Sequence, residues 1–117
     1  MYSFLREGEF IQITVEDSGN VSGFISRYGD TDADKDTFLD QFFDSGKLNG
    51  NRLMFKTKPI HGSWFTFDGT LDRGAGKSTD EEGYYVVRGT LIRFNTDSDK
   101  RTTQQPRAVE FKSFPRN

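Results

Sequence analysis

The chain has 117 residues, with 16 Lys or Arg against 18 Asp or Glu, and no Cys. That length suits one domain spanning residues 1–117. The near balance of charge, with a pI near 5.4, gives no overall field toward nucleic acid or anionic membrane, and the lack of Cys removes disulfides, thiolate metal sites and cysteine nucleophiles.

Residues Met1-Tyr2-Ser3-Phe4-Leu5-Arg6-Glu7 have neither the basic start nor the apolar run of a signal peptide. No stretch approaches the ~18 apolar residues of a transmembrane helix. A soluble protein without membrane contact is expected. Residues 9–16 alternate, with Ile11, Ile13 and Val15 on one side, and Asp17-Ser18-Gly19-Asn20 is a turn cluster leading into 21–28, so a hairpin is predicted. Gly8 marks a bend that lets Tyr2 to Leu5 extend the first strand or begin another.

Residues 29–46 read differently. Phe38, Leu39, Phe42 and Phe43 fall at i, i+1, i+4, i+5, and this spacing predicts a short helix over 34–45, with Asp34 or Asp36 as N-cap and Gly46 at its C-terminal end. A helix that short is marginal alone, so its apolar stripe is expected to lie on the sheet.

After Asn49-Gly50-Asn51, residues 52–58 alternate again and stop at Pro59, and Ile60-His61-Gly62 turns the chain into a strand over 63–73. That strand has the clearest alternation in the chain, with Phe65, Phe67, Gly69 and Leu71 on one face. Residues 74–83 read as a polar loop, 84–94 as a long strand rich in β-branched and aromatic residues, 95–105 as a polar mobile stretch and 107–114 as a last strand. Twelve Phe, four Tyr and one Trp predict an aromatic-rich core. The fold class expected is all-β, an antiparallel up-and-down meander of six to eight strands forming a barrel or strongly coiled sheet, with the one helix.

A cadence runs through three of these strands: Val21, Gly23, Ile25, Arg27; Phe67, Gly69, Leu71, Arg73; Val87, Gly89, Leu91, Arg93. Core-facing glycines fit sharp coiling, and the arginines, at the same parity, belong at a rim. Counting strands with the helix in place puts Arg27 and Arg73 at one end and Arg93 at the other. The arginines then either pair with the acidic stretch Asp30 to Asp36 and fix the helix as a plug, or hold an anionic group of a ligand whose apolar body lies among Phe55, Phe65, Phe67, Tyr85 and Phe111.

Other constellations lose to plainer readings. Gly74-Ala75-Gly76-Lys77-Ser78-Thr79 resembles the end of a P-loop, but Leu71 stands where the first Gly belongs and two strands flank the segment. Asp30, Asp32, Asp34 and Asp36 have calcium-loop spacing, yet Lys35 and Gln41 occupy the required Gly and Glu positions, so they are weak metal candidates beside a solvated capping loop. His61, the sole imidazole, sits in a turn with no nucleophile in view. No cofactor is expected.

Asp17-Ser18-Gly19-Asn20-Val21-Ser22-Gly23, then Gly50-Asn51-Arg52-Leu53-Met54-Phe55, then Trp64-Phe65-Thr66-Phe67-Asp68-Gly69 give the chain, over about residues 9–94, an architectural resemblance to small meander barrels of the avidin and lipocalin, or calycin-like, type. The resemblance implies a barrel that binds small apolar molecules; Trp64 stands alone, and no ligand residue carries over.

The leading expectation is a non-catalytic small-ligand-binding or scaffold barrel, forming a homodimer through a sheet edge or outward residues such as Trp64, Tyr84, Val86 and Phe94. The alternatives are a small isomerase-like or cyclase-like enzyme sheltering an apolar substrate, its acid or base drawn from Asp, Glu, Tyr28 or His61, and a purely structural domain. Single-stranded nucleic-acid binding lacks the basic groove it needs.

Overall fold

The computed structural model describes residues 1–29, 38–79 and 81–115. Eight antiparallel strands follow one another in the sheet in chain order: β1 (Tyr2–Ser3), β2 (Phe10–Val15), β3 (Val21–Tyr28), β4 (Phe38–Asn49), β5 (Arg52–Thr57), β6 (Ser63–Arg73), β7 (Tyr85–Thr96) and β8 (Thr102–Lys112). Tyr2 bridges to Ser113, Phe114 N donates to Met1 O at 2.8 Å, and Lys112 N donates to Ser3 Oγ at 3.3 Å. The first and last strands therefore meet at one end, and the sheet is a curled half-barrel.

No helix is present among the described residues, so none is long and apolar enough to cross a membrane. The helix predicted over 34–45 is replaced, from residue 38 onward, by β4; residues 34–37 lie outside the described residues. A spacing of four is even, so it keeps two side chains on one face of a strand as well as of a helix. Phe42 points outward beside Phe24 of β3, ring centroids 5.3 Å apart, while Phe43 points inward and stacks on Phe55 at 4.3 Å. Apolar residues on both faces imitated a helical stripe. A bulge between Phe43 and Ser45 then keeps Gly46 and Leu48 facing inward, opposite Phe55 and Leu53.

The polar stretch 95–105 is also mostly strand. Thr96 pairs with Thr102, which leaves residues 97–101 as the turn. Threonine suits a strand whose side chains stay in water, and backbone pairing with β7 needs no apolar face.

The interior is filled by rings. Phe43, Phe55, Phe67, Phe111, Phe4 and Phe65 make a continuous series with successive centroids 4.3, 5.2, 6.3, 5.2 and 5.7 Å apart. Ile11, Ile25, Leu53, Val87 and Leu91 complete the core. Each fully buried ring or branched aliphatic contributes about 1.5–3 kcal/mol of transfer free energy. Gly23, Gly69 and Gly89, the cadence glycines, stand where the neighbouring strand leaves no room for a side chain: a Cβ on each would fall on the carbonyl oxygen of Gln12, Arg88 and Asp68 respectively. The coiling expected of them is present.

Candidate functional site

Inserting β4 as a strand reverses the parity of everything after it. β3 and β7 run the same way and β6 runs against them, so Arg27 shares an end with Arg93, and Arg73 lies at the other. This corrects the expected grouping of Arg27 with Arg73. The guanidinium carbons of Arg27 and Arg93 stand 5.4 and 5.9 Å from the centroid of the Phe65 ring.

The Arg27 end is stitched by buried polar groups. Gln41, fully buried, accepts from Arg27 Nε at 2.8 Å and donates to the carbonyl oxygens of Lys58 at 2.8 Å and Ser63 at 2.7 Å. Arg27 Nη1 also donates to Tyr28 O at 3.2 Å. Glu9, 5% exposed, accepts from the backbone N–H groups of Arg6 and Tyr28, both at 2.9 Å. Thr57 Oγ1 accepts from Phe65 N at 2.9 Å. These bonds tie the segment before β2 to β3, and β3 to β4, β5 and β6, where the apolar core stops. The crevices here are small, about 40 Å³ beside Arg27 and Glu9 and about 150 Å³ between Leu5 and the Gln105 to Arg107 part of β8.

The other end carries a cleft of about 450 Å³, lined by Tyr2, Tyr84, Tyr85, Ser113 and Phe114, with Met1 and Thr79 at its margin. The edge bridge between Tyr2 and Ser113 puts Tyr2 in its wall, and Ser113 Oγ accepts from Tyr85 N at 3.0 Å. Tyr84 and Tyr85 meet edge to face at 4.8 Å. Arg73 lies against Tyr84, its guanidinium carbon 3.7 Å from the ring centroid and its Nε donating to Tyr84 O at 3.3 Å. Tyr85 and Phe114 remain 42% and 37% exposed. Burial, with the nearby Tyr85 charge second, raises the Tyr2 phenol above its usual 10.0, so the group keeps its proton.

The residues singled out in the sequence divide three ways. Phe55, Phe65, Phe67 and Phe111 pack on one another in the core and do not wall an open interior. Arg27 and Arg93 converge on Phe65. Arg73 and Tyr85 are at the tyrosine cleft, where Tyr85, on the same face of β7 as Val87 and Leu91, is left open because it lies at the end of the barrel. The sequence offered no signal for Tyr2 and Phe114, because the cleft forms only where the two ends of the chain meet.

Val86, expected outside, is 2% exposed. The loop after β6 folds back over it, with Gly74 N donating to Tyr84 O at 2.9 Å. Trp64 and Phe94 do face outward and stack at 5.2 Å, each half-buried. Asp30, Asp32, Asp34 and Asp36, with the capping, plug and calcium readings built on them, lie outside the described residues. Among the described residues no group of three His, Asp or Glu could hold a metal ion. His61 occupies the turn between Ile60 and Ser63, with φ of 50°.

The chain matches no protein-family model, no curated protein and no solved structure. Its likeness to small meander barrels is the antiparallel eight-strand order itself.

Proposed function

We propose that the protein is a non-catalytic binding module that takes a small, flat, mainly apolar molecule in the tyrosine cleft. The observation that carries this reading is the contrast between a ring-filled interior and a cleft of about 450 Å³ at its end, where the Tyr85 and Phe114 rings stay partly open to solvent. Sites for small molecules typically span about 300–1,000 Å³, with apolar walls and a few placed polar groups. The cleft has that volume and that composition. Tyr84, Tyr85 and Phe114 offer ring faces and edges, the Tyr2 phenol offers a donor that stays protonated, and Arg73 behind Tyr84 favours an acceptor or anionic group on the ligand.

Burial and then Tyr85 raise the Tyr2 phenol above 10.0, which suits a hydrogen-bond donor to the ligand.

The test is a titration of the isotope-labelled protein with a panel of small aromatic and heterocyclic carboxylic acids, followed by amide NMR. Shifts should gather on Tyr2, Tyr84, Tyr85, Ser113 and Phe114, and Tyr85→Ala should weaken binding at least about tenfold, the equivalent of 1.4 kcal/mol. Shifts centred on Arg27 and Arg93, or none with any member of the panel, would overturn the assignment.

A further inference from the structure

On the outer face of the sheet, Phe10, Phe24 and Phe42 form a row across β2, β3 and β4, with centroids 6.0 and 5.3 Å apart. Phe42, at its end, is 54% exposed. An aromatic ring so open, in line with two others, is the kind of patch that a partner covers. Along β4 it is flanked by Asp40 and Asp44, both exposed.

Past the bulge, the same outer face holds a shallow concavity of about 740 Å³, with Met54, Thr66, Thr90 and Ile92 in its floor and Lys47 and Lys56 at its side. Asp68 also borders it, but Arg52 already holds that carboxylate through bonds of 3.1 and 2.8 Å. The lysines therefore set the sign of the concavity. Among the described residues neither they nor Asp40 and Asp44 take part in an ion pair.

We infer that a second copy of this chain covers the face, in a two-fold dimer that seats Phe42 of each copy in the Lys47–Lys56 concavity of the other. Phe42 and the Lys47 rim of the hollow lie on β4, five residues or roughly 16 Å apart at ~3.3 Å per residue, and the floor continues across β5, β6 and β7. A two-fold axis through the bulge near Ser45 brings each knob onto the other hollow at once, which is the self-complementarity an isologous contact requires. Asp40 and Asp44 then meet Lys47 and Lys56 of the facing copy, so charge sets the register and the ring supplies the buried area.

The free sheet edge is a poorer contact. Asp97 N donates to Arg101 O and Ser113 N to Tyr85 O, so odd-numbered residues of β8 bond to β7 and even-numbered ones face outward. Pro106 falls among the latter and removes a donor from that edge.

Sedimentation at about 100 μM, a concentration that populates a micromolar dimer, tests the inference. The wild type should sediment at twice the 13.4 kDa of one chain. Phe42→Ser, the double variant Asp40→Lys with Asp44→Lys, and the double variant Lys47→Glu with Lys56→Glu should each sediment as one chain. Mixing the two charge-reversed variants should restore the doubled mass, since both contacts then become attractive. Amide spectra check that each variant is folded. A wild type of single mass, charge-reversed variants that still dimerise, or a mixture that stays monomeric would overturn the inference.

Discussion

Gly69 and Gly89 face each other across β6 and β7, and neither has room for a Cβ. A methyl on Gly69 would stand 2.6 Å from Phe67 Cζ and 2.7 Å from Gly89 Cα, besides meeting the Arg88 carbonyl oxygen. Neighbouring backbone cannot yield as a side chain can, so the sheet itself must shift. Gly69→Ala should cost about 2–3 kcal/mol, the upper part of the range for overpacking. Urea unfolding monitored by Trp64 fluorescence measures it, and a cost under 0.5 kcal/mol, the scale of an ordinary surface change, would mean that the pair is not a packing constraint.

Gln41 holds three partners at once: Arg27 Nε, Lys58 O and Ser63 O. Gln41→Leu keeps the size but takes the acceptor from Arg27 Nε and the donor from Lys58 O, while Ser63 O keeps its bond from Ile60 N. The expected loss is about 2 kcal/mol or more, since each buried polar group that loses its partner costs about 1–3 kcal/mol. Chemical denaturation checks it, and near-wild-type stability would show that the polar end tolerates an apolar substitute.

These two sites differ in how far they were legible from sequence. Gly23, Gly69 and Gly89 stood in an alternating pattern, and alternation is a local signal that a strand imposes directly. Gln41 was hidden because the four-residue spacing of Phe38 and Phe42, and of Leu39 and Phe43, belongs to both periods, and the helix reading won. That one element also misplaced the arginines, because topology propagates: a missing strand reverses every strand after it. Tyr2 and Phe114 gave no signal, since nothing local tells that the first and last strands meet. The polar run from 95 to 105 has no apolar alternation to announce a strand, and its order comes from backbone pairing with β7.

His61 is a turn residue. Ile60 and Ser63 exchange backbone bonds of 2.9 Å in both directions, and His61 and Gly62 between them have φ of 50° and 75°, the pattern of a type I′ hairpin turn. Asn enters the left-handed region readily, and β-branched residues resist it. His61→Asn should leave thermal stability equal or higher and His61→Val should lower it by about 1–2 kcal/mol. Loss of ligand binding by a well-folded His61→Asn variant would give the imidazole a role beyond the turn.

Tyr2 makes stability depend on pH at the alkaline end. Its phenol is raised above 10.0 by burial and then by Tyr85, so between the unfolded and folded pKa values the folded chain holds the extra proton. Its contribution is complete below about pH 10 and is lost as the pH climbs through the raised value. Urea midpoints of the wild type should therefore fall between pH 9 and pH 11 more steeply than those of Tyr2→Phe; parallel curves would contradict the burial argument.

The tyrosine cleft as a small-molecule site is tested most directly by native mass spectrometry of the wild type and Tyr85→Ala, both purified without denaturation from the organism's own cells. The wild type should carry a small bound mass, within the few hundred daltons that a cleft of about 450 Å³ admits, and Tyr85→Ala should lose it. Bare protein in both preparations, or the same mass retained by both, would contradict the account.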